Sequence, residues 1–210
     1  MTDSWSERAT LYRESAAHRE GPDLDLLVGW AEGDTALDVA TGGGHVARRL
    51  REAGFDVVSC DPAPGMQPDV ICPAEHLPFA DGSFDVVACR IAAHHFVDVR
   101  AAMAEMARVS HSLVLVVDNV HGGADVEEAE RVRDPTHVRC YSEEEWRALF
   151  RDAGLGVEDV QLLEARIELG PWLERGGCAG AEAARVVQLL GDRIDDGHVV
   201  LTSVALKGRK

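Results

Sequence analysis

The most constraining feature of this sequence is a run of three glycines, Gly42–Gly44, between an apolar segment and an amphipathic one. The surrounding residues 36–50, ALDVATGGGHVARRL, predict a buried strand, a sharp turn and then a helix. Glycines lack a Cβ, so the backbone can turn tightly there and a ligand can approach it closely. Because the N-terminus of the following helix offers unpaired N–H groups, we interpret the turn as a nucleotide-binding corner; a plain strand-to-helix turn is the alternative.

Length and apolar content fit one compact domain. The chain has 210 residues, 46% of them hydrophobic, which is enough to bury a substantial core without disulfides. We expect residues 1–210 to form a single α/β domain, with a helical cap over 1–31 and the core over 32–210. The five cysteines are widely spaced and form no CxxC pair, which indicates reduced thiols rather than a disulfide frame or a zinc site.

Charge and hydropathy limit the partners of the chain. The first 21 residues, MTDSWSERATLYRESAAHREG, are polar, and no later window approaches the roughly 18 unbroken apolar residues of a membrane span. The formal net charge is −16, with acidic residues spread along the chain, and such a field repels phosphate backbones. We therefore expect a cytoplasmic protein that binds a small molecule, with neither nucleic acid nor membrane as a partner.

Apolar runs of strand length alternate with helix-period segments, a pattern typical of a doubly wound α/β sheet. Five parallel strands are predicted, at residues 35–40, 56–61, 69–72, 84–90 and 112–119. The segments GHVARRLREAG and VRAAMAEMARV have apolar residues three and four apart and are predicted to be crossover helices. Only PAPGMQP separates the second and third strands, so that connection is an abbreviated loop or the third strand is marginal.

Both ends of the chain carry their own signals. A helix is predicted over residues 4–20 and a second from Pro22, placed to cover the sheet edge or a ligand. Ser142 and Glu145 form a capping-box pattern at the start of a helix that ends at Gly154. The segments VEDVQLLEARIEL and HVVLTSVALKG, separated by one amphipathic stretch, are typical of the two arms of an antiparallel hairpin.

Two ligand classes fit the glycine turn. Gly42, Gly44 and Ala47 match the GxGxxA pattern of dinucleotide sites, and Asp61 follows at the distance expected for a ribose-binding acid. Asp38, however, lies in the first predicted strand, where a carboxylate would repel a pyrophosphate. A carboxylate there can orient the loop and hold an ammonium group, directly or through water. Asp38 therefore favours a cationic ligand over a nicotinamide dinucleotide.

Four segments resemble, in order, the class I S-adenosylmethionine-dependent methyltransferases, in the branch similar to ubiquinone and menaquinone methylases. They are LDVATGGGHVARRL, VVSCDPAPGM, AEHLPFADGSFDVVACRIAAHHF and DPTHVRCYSEEEWRALFRDAGL, and the resemblance spans roughly residues 12–155. It implies a Rossmann-like, mostly parallel seven-stranded sheet whose last strand is antiparallel. It also implies S-adenosylmethionine as the cofactor and in-line methyl transfer to a small organic acceptor, and it predicts no oligomeric state.

The resemblance further implies roles for individual residues. Those expected around the cofactor are Asp38, Ala40, Thr41, Gly42, Gly43 and Gly44 at its methionine part, Asp61 at the ribose hydroxyls, Pro62 and Met66 flanking the adenine, Ala74 and Glu75 at the adenine edge, and Arg90 at the start of the segment that leads to the acceptor. Tyr12 and His18 are expected to close over the cofactor as a lid. The alternative is that these two residues anchor an ordinary surface helix.

The sequence departs from the family pattern at three points. Pro73 stands where an acid usually accepts from the adenine amino group, the crossover helix after Asp61 is missing, and SHS at Ser110–Ser112 replaces a glycine-rich turn. With Pro73, adenine recognition must depend on backbone groups and stacking. These departures keep a non-catalytic cofactor-binding scaffold open as an alternative to an enzyme. A nicotinamide-dependent oxidoreductase is a further alternative, although no tyrosine–lysine or similar hydride-transfer pattern is recognisable.

Candidate residues for the chemistry follow the fourth and fifth predicted strands, where open α/β sheets bind ligands. The predicted catalytic residues are Arg90, His94 and His95; Asp118, Asn119 and His121 lie near them, and His137, Arg139 and Tyr141 form a second polar cluster. Since a sulfonium donor is already activated, a base is needed only where the acceptor must lose a proton. His94 and His95 are adjacent, so we expect one to face the acceptor and the other to pack. No metal site is predicted, because the histidines lack the HxxxH spacing of a helical zinc site.

Overall fold

A mixed β-sheet forms the centre of the molecule in the computed structural model, which describes the backbone of residues 2–210 and the side chains of residues 4–210. Its strands are β1 (Thr35–Val39), β2 (Asp56–Asp61), β3 (Val70–Ile71), β4 (Phe84–Arg90), β5 (Ser110–Asn119), β6 (Gly156–Glu168), β7 (Ile194–Asp195) and β8 (His198–Arg209). The strand order is β3-β2-β1-β4-β5-β8-β6. The first five strands pair in parallel and β8 is antiparallel to both β5 and β6. The predicted Rossmann-like sheet is confirmed, with the two-residue β7 added beside β8.

Helices cover both faces of this sheet. They are α1 (Thr2–Glu14), α2 (Ala16–Arg19), α3 (Pro22–Trp30), α4 (His45–Glu52), α5 (Val99–Val109), α6 (Ala124–Arg133), α7 (Glu143–Asp152), α8 (Leu169–Gly176) and α9 (Gly180–Leu190). Within the described residues, no helix combines the length and the apolarity needed to cross a membrane. The predicted capping box is confirmed, since Ser142 and Glu145 exchange both of its hydrogen bonds at the start of α7.

The apolar spacing seen in the sequence determines which side of each helix is buried. On one face of the sheet, α3 and α4 contribute Leu24, Leu27 and Leu50 to a cluster with Ala36 and Val86. On the other face, α5 and α7 contribute Met103, Met106, Trp146 and Phe150. Full burial of a leucine side chain such as Leu50 stabilises the fold by about 1.5–3 kcal/mol. The two clusters hold the carboxyl ends of the parallel strands at one edge.

The β6–β8 hairpin extends beyond the rest of the sheet. β5 pairs with β8 only as far as Asn119 and Ser203, whereas β6 continues to pair with β8 as far as Glu168 and His198. We call residues 164–202, which include α8 and α9, the hairpin extension. It has its own apolar cluster with α6, formed by Val126, Ala129, Trp172, Cys178, Val186, Leu190, Val199 and Leu201. The extension therefore adds a separate wall at the carboxyl edge of the sheet.

Several predicted boundaries are wrong. The helix expected over 4–20 is broken at Ser15, whose backbone is extended and whose Oγ bonds His18 Nδ1 at 2.8 Å. The strand expected from Ser112 begins at Ser110, because the Ser110 hydroxyl donates to Leu113 O at 2.9 Å and a shift of register absorbs the extra residues. The amphipathic stretch expected over residues 177–193 contains α9, but the sequence did not predict α8, which precedes it and has its C-cap at Gly177, where φ is +77°.

Candidate functional site

A cavity of about 570 Å³ lies at the carboxyl ends of the parallel strands. It is lined by the loops after β1, β2, β3 and β4, the N-terminal helices and the hairpin extension, with Arg133 of α6. Among the lining residues are Tyr12, His18, Asp38, Ala40, Thr41, Gly42, Gly43, Asp61, Pro62, Met66, Ala74, Glu75, Arg90, His94 and His95. The structure thus brings to one cavity every residue predicted to bind the cofactor or to be catalytic, except Gly44.

The glycine turn is shaped by two different constraints. A Cβ at Gly43 would lie 2.7 Å from His45 Nε2 and 2.8 Å from Tyr12 O, so this position is closed by α1. Gly44 has open space around it but a left-handed φ of +77°. It is the N-cap of α4 and does not line the cavity, so its role is to start the helix rather than to contact a ligand there.

Two buried carboxylates accept hydrogen bonds from the glycine turn and from the start of α4. Asp38 accepts from Thr41 Oγ1 at 2.5 Å and from the Ala47 N–H at 3.0 Å, both at Oδ2. Asp61 accepts from the Gly42 N–H at 3.0 Å through Oδ2 and from the Ala63 N–H at 2.9 Å through Oδ1. Burial raises the pKa of Asp38 to about 6, against these hydrogen bonds, and it also raises the pKa of Asp61. Both groups can only accept when ionised, so they suit ammonium and hydroxyl donors.

The loops after β2 and β3 supply the next part of the wall. Met66 is buried against Ala9 and Ala63 and also lines the cavity, as does the exposed Pro62. Ala74 is buried beside them. Glu75 lines the cavity too, but its Oε1 accepts from the backbone N–H groups of residues 97 and 98 at 3.0 and 3.3 Å. Part of its acceptor capacity therefore goes to the loop that precedes α5.

Arg90 is committed to the N-terminal helices. Its guanidinium bonds both carboxylate oxygens of Asp23, at 2.6 and 3.1 Å, and donates to His18 O at 2.8 Å. The side chain is 5% exposed. Bidentate geometry of this kind fixes both partners. The contacts favour a role in holding α2 and α3 in place, and not the catalytic role that the sequence predicted.

The two residues predicted as a lid lie together on the N-terminal segment. The rings of Tyr12 and His18 are 5.5 Å apart and both line the cavity. The carbonyl of Tyr12 accepts from His45 Nε2 at 3.0 Å, which ties α1 to the helix that follows the glycine turn. Burial raises the pKa of Tyr12 and lowers that of His18 well below its usual value, so both side chains are neutral near pH 7.

A histidine and a carboxylate form a buried pair at the ends of β4 and β5. His94 Nδ1 lies 2.5 Å from Asp118 Oδ1, and the His94 N–H donates to Oδ2 at 2.8 Å. Burial lowers the pKa of His94, but the charge of Asp118 and the hydrogen bond from it outweigh burial, so the net pKa is raised. With the Nδ1 proton directed at Asp118, Nε2 is the nitrogen left for a ligand.

His95 lies beside this pair. Its ring centroid lies 4.1 Å from that of His94, with the two ring planes tilted by 47°, and it makes an edge contact with Trp5 at 4.7 Å. Burial and the neighbouring His94 lower the pKa of His95 well below its usual value. Both histidines line the cavity, and His95 also packs against Trp5, so which of the two faces the acceptor stays a prediction.

Comparisons with known proteins agree with this geometry. A family model described as a methyltransferase domain matches residues 37–115. YcgJ of Bacillus subtilis, named an uncharacterised methyltransferase, is 32% identical over 220 aligned residues, covering 92% of this chain and 87% of YcgJ. The crystal structure of YcgJ superposes with a TM-score of 0.80 at 28% identity, over 90% of this chain and 97% of that one.

This chain belongs to the class I S-adenosylmethionine-dependent methyltransferases. A second solved structure, a putative methyltransferase from Bacillus halodurans, matches this methyltransferase with a TM-score of 0.78 and 28% identity, over 90% of this chain and 99% of that one. The demethylmenaquinone methyltransferase of Beutenbergia cavernae is 40% identical over 97 residues, 41% of this chain and 40% of that protein. Membership makes this protein an enzyme with S-adenosylmethionine as its cofactor, which decides between the two ligand classes left open by the glycine turn.

The second polar cluster of this methyltransferase is assembled in part, since the Arg139 guanidinium lies 4.9 Å from the centroid of the Tyr141 ring. Arg139 is exposed and pairs with Glu145, and His121 is also exposed and outside the cavity lining. His137 is buried, with Nε2 bonded to Glu127 Oε1 at 2.9 Å. The ligand atoms of Glu127, His137 and Cys140 lie within 4.8 Å of one another, but burial raises the pKa of the Cys140 thiol, which opposes the thiolate that a metal needs.

The sequence missed the part of the methyltransferase cavity that the hairpin extension supplies. Trp172 and Arg175 of α8 line it, together with Leu163, Ala165, Ile167 and Leu201 of the hairpin and Arg133 of α6. The signal in the sequence was the spacing of Trp172 and Arg175, three residues apart on one helical face. No sequence pattern near these residues indicated that this face of the helix lies in the same cavity as the glycine turn.

Proposed function

We propose that this methyltransferase transfers a methyl group from S-adenosylmethionine to a small organic acceptor in the cytoplasm. The observation that carries the proposal is one cavity that extends from the glycine turn to His94 and the apolar wall of the hairpin extension. A cavity of this kind can hold both reactants in line and exclude water. Residues 1–31 act as its cap over the core formed by residues 32–210.

The residues around the glycine turn fit the cofactor. The turn presents backbone at Gly42 and Gly43, Asp38 offers a carboxylate for the ammonium group, and Asp61 offers two acceptor oxygens for the ribose hydroxyls. The remaining residues proposed to contact it are Tyr12, His18, Ala40, Thr41, Pro62, Met66, Ala74 and Glu75. When bound, the cofactor supplies a methyl group that is already activated on sulfur.

His94 is proposed as the base for an acceptor that must lose a proton. Asp118 fixes the tautomer and the ring direction, so that Nε2 can accept a proton from the acceptor. His95 forms part of the wall beside it, and Arg90 acts only by holding α2 and α3 over the cavity. Asp118 is therefore a positioning residue for this step.

Calorimetric titration tests the cofactor half of the proposal. S-adenosylmethionine and S-adenosylhomocysteine are expected to bind in the micromolar range, Asp38→Ala to abolish binding, and NADH not to bind. Asp152→Ala is the matched control, because Asp152 is an exposed carboxylate on α7 that pairs with Arg100. If neither sulfur nucleotide binds the unmodified protein, the proposal fails. An acceptor screen that follows S-adenosylhomocysteine release then separates an enzyme from a scaffold, with His94→Gln expected to lose turnover while keeping cofactor affinity.

A further inference from the structure

The cavity contains a guanidinium that has no anionic partner among the side chains of residues 4–210. Arg175 of α8 is 6% exposed and lines the cavity. Its backbone carbonyl accepts from Arg8 at 3.0 Å, but among the side chains described for residues 4–210 its guanidinium takes part in no hydrogen bond or ion pair. Within the same lining, Arg90 pairs with Asp23, Arg133 with Glu130 and Arg166 with Asp195. Arg175 differs from the other arginines of the lining in this respect.

An unpaired buried cation is costly to the folded protein. Burial lowers the pKa of Arg175, and the charge of Arg133 lowers it further, while Tyr12 and the charge of Glu174 act in the opposite direction. Among the described side chains, Glu174 acts on Arg175 only through its charge and forms no ion pair with it. The cost is relieved when a ligand brings an anion into the cavity next to Arg175.

Apolar side chains line the same cavity as this cation. Trp172 lies on the same helix as Arg175, and Leu163, Ile167 and Leu201 of the hairpin line the adjacent wall. The combination suits an apolar molecule with one charged end. Trp172 and Arg175 belong to the hairpin extension, whereas the carboxylates of the glycine turn belong to β1 and β2.

We propose that the methyl acceptor is an apolar molecule carrying a carboxylate or a similar anionic group, and that Arg175 binds this group. The inference rests on the proposed function and names the substrate class for the same cavity. The carboxylate of the cofactor is the other possible source of such an anion, and the experiment separates the two sources.

The test uses aromatic acids as probes of the full-length protein saturated with S-adenosylhomocysteine. Benzoate, phenylacetate and indoleacetate are titrated against the unmodified protein, Arg175→Met and Arg175→Lys, with benzyl alcohol as the neutral counterpart of benzoate. We expect Arg175→Met to weaken acid binding by about tenfold to a hundredfold, Arg175→Lys to restore part of it, and benzyl alcohol to be unaffected. Arg185→Met is the matched control, because Arg185 is exposed on α9 and pairs with Glu128 at 2.8 Å.

A second titration assigns the anion to its source. S-adenosylhomocysteine and its decarboxylated analogue are compared on the unmodified protein and on Arg175→Met. Equal affinity ratios on both proteins support the acceptor as the source. Selective weakening of S-adenosylhomocysteine on Arg175→Met overturns the proposal by assigning Arg175 to the cofactor, and unchanged or absent acid binding overturns it as well. If S-adenosylhomocysteine does not bind the unmodified protein, the proposed function fails, and acid titration of the unliganded protein still tests Arg175.

Discussion

Two neighbouring glycines of the turn are expected to resist substitution for different reasons. In Gly43→Ala the new Cβ would lie 2.7 Å from His45 Nε2 and 2.8 Å from Tyr12 O, so the bond between these two atoms must break and α1 must shift. Overpacking costs about 1–3 kcal/mol and the lost hydrogen bond about 0.5–1.5 kcal/mol, roughly 2–4 kcal/mol together. For a chain of this size the melting temperature falls by about 5–15 °C. S-adenosylhomocysteine affinity also falls, because Tyr12 leaves the cavity wall.

Gly44→Ala is the matched control for that prediction. Its Cβ enters open space, and the left-handed φ of +77° costs about 1–2 kcal/mol. Because Gly44 does not line the cavity, cofactor affinity is expected to stay within about threefold of the unmodified protein, less than 1 kcal/mol. Differential scanning calorimetry and calorimetric titration of both variants give the two quantities. Equal losses of affinity, or a larger loss of stability in Gly44→Ala, would refute the steric argument.

Three further predictions concern the buried charges. Because the pKa of Asp38 is raised to about 6, folding takes up a proton there, and the protein loses stability as the pH rises from about 4 through 6. Asp38→Asn should remove this pH dependence and raise the free energy of unfolding at pH 7 by up to about 3 kcal/mol. Urea unfolding at a series of pH values measures both effects, and an unchanged pH profile would contradict the prediction. An NMR titration should place the pKa of His94 above 6.5, and below it in Asp118→Asn, where burial becomes the dominant cause; an unchanged value would show that Asp118 does not control the ring. Arg90→Met should cost about 3 kcal/mol by leaving Asp23 unpaired, and adding Asp23→Asn should recover part of that loss in a double-mutant cycle, whereas strictly additive losses would argue against the pair.

The cofactor side of the cavity could be predicted from the sequence because it is built from local signals. Continuous apolar runs predict the strands, the glycines predict the turn, and parallel strands bring their carboxyl ends to one edge. Asp38 and Asp61 therefore reach the cavity from positions that their own segments define. The capping box of α7 was equally local, since both of its hydrogen bonds join Ser142 to Glu145.

The acceptor side could not be predicted in the same way because its contacts are distant in the chain. Arg90 was expected to act on the acceptor, but its use is decided by Asp23, 67 residues earlier. The role of Arg175 depends on a hairpin that extends past the rest of the sheet, and no residue near it in sequence signals that extension. The break at Ser15 was missed for a smaller reason, since its hydroxyl bonds the His18 ring instead of continuing the helix.

Helix α1 contacts both halves of the cavity. Ser6 accepts from the Gly65 N–H at 3.0 Å on the cofactor side, and Arg8 donates to Arg175 O at 3.0 Å on the acceptor side. A ligand that favours one position of α1 therefore changes the affinity for the other ligand, and the two effects are equal in free energy because binding linkage is reciprocal. Cofactor and acceptor are expected to promote each other's binding by the same factor. The expected result is cooperative formation of the ternary complex. Acceptor affinity should therefore be measured in the presence of a saturating sulfur nucleotide.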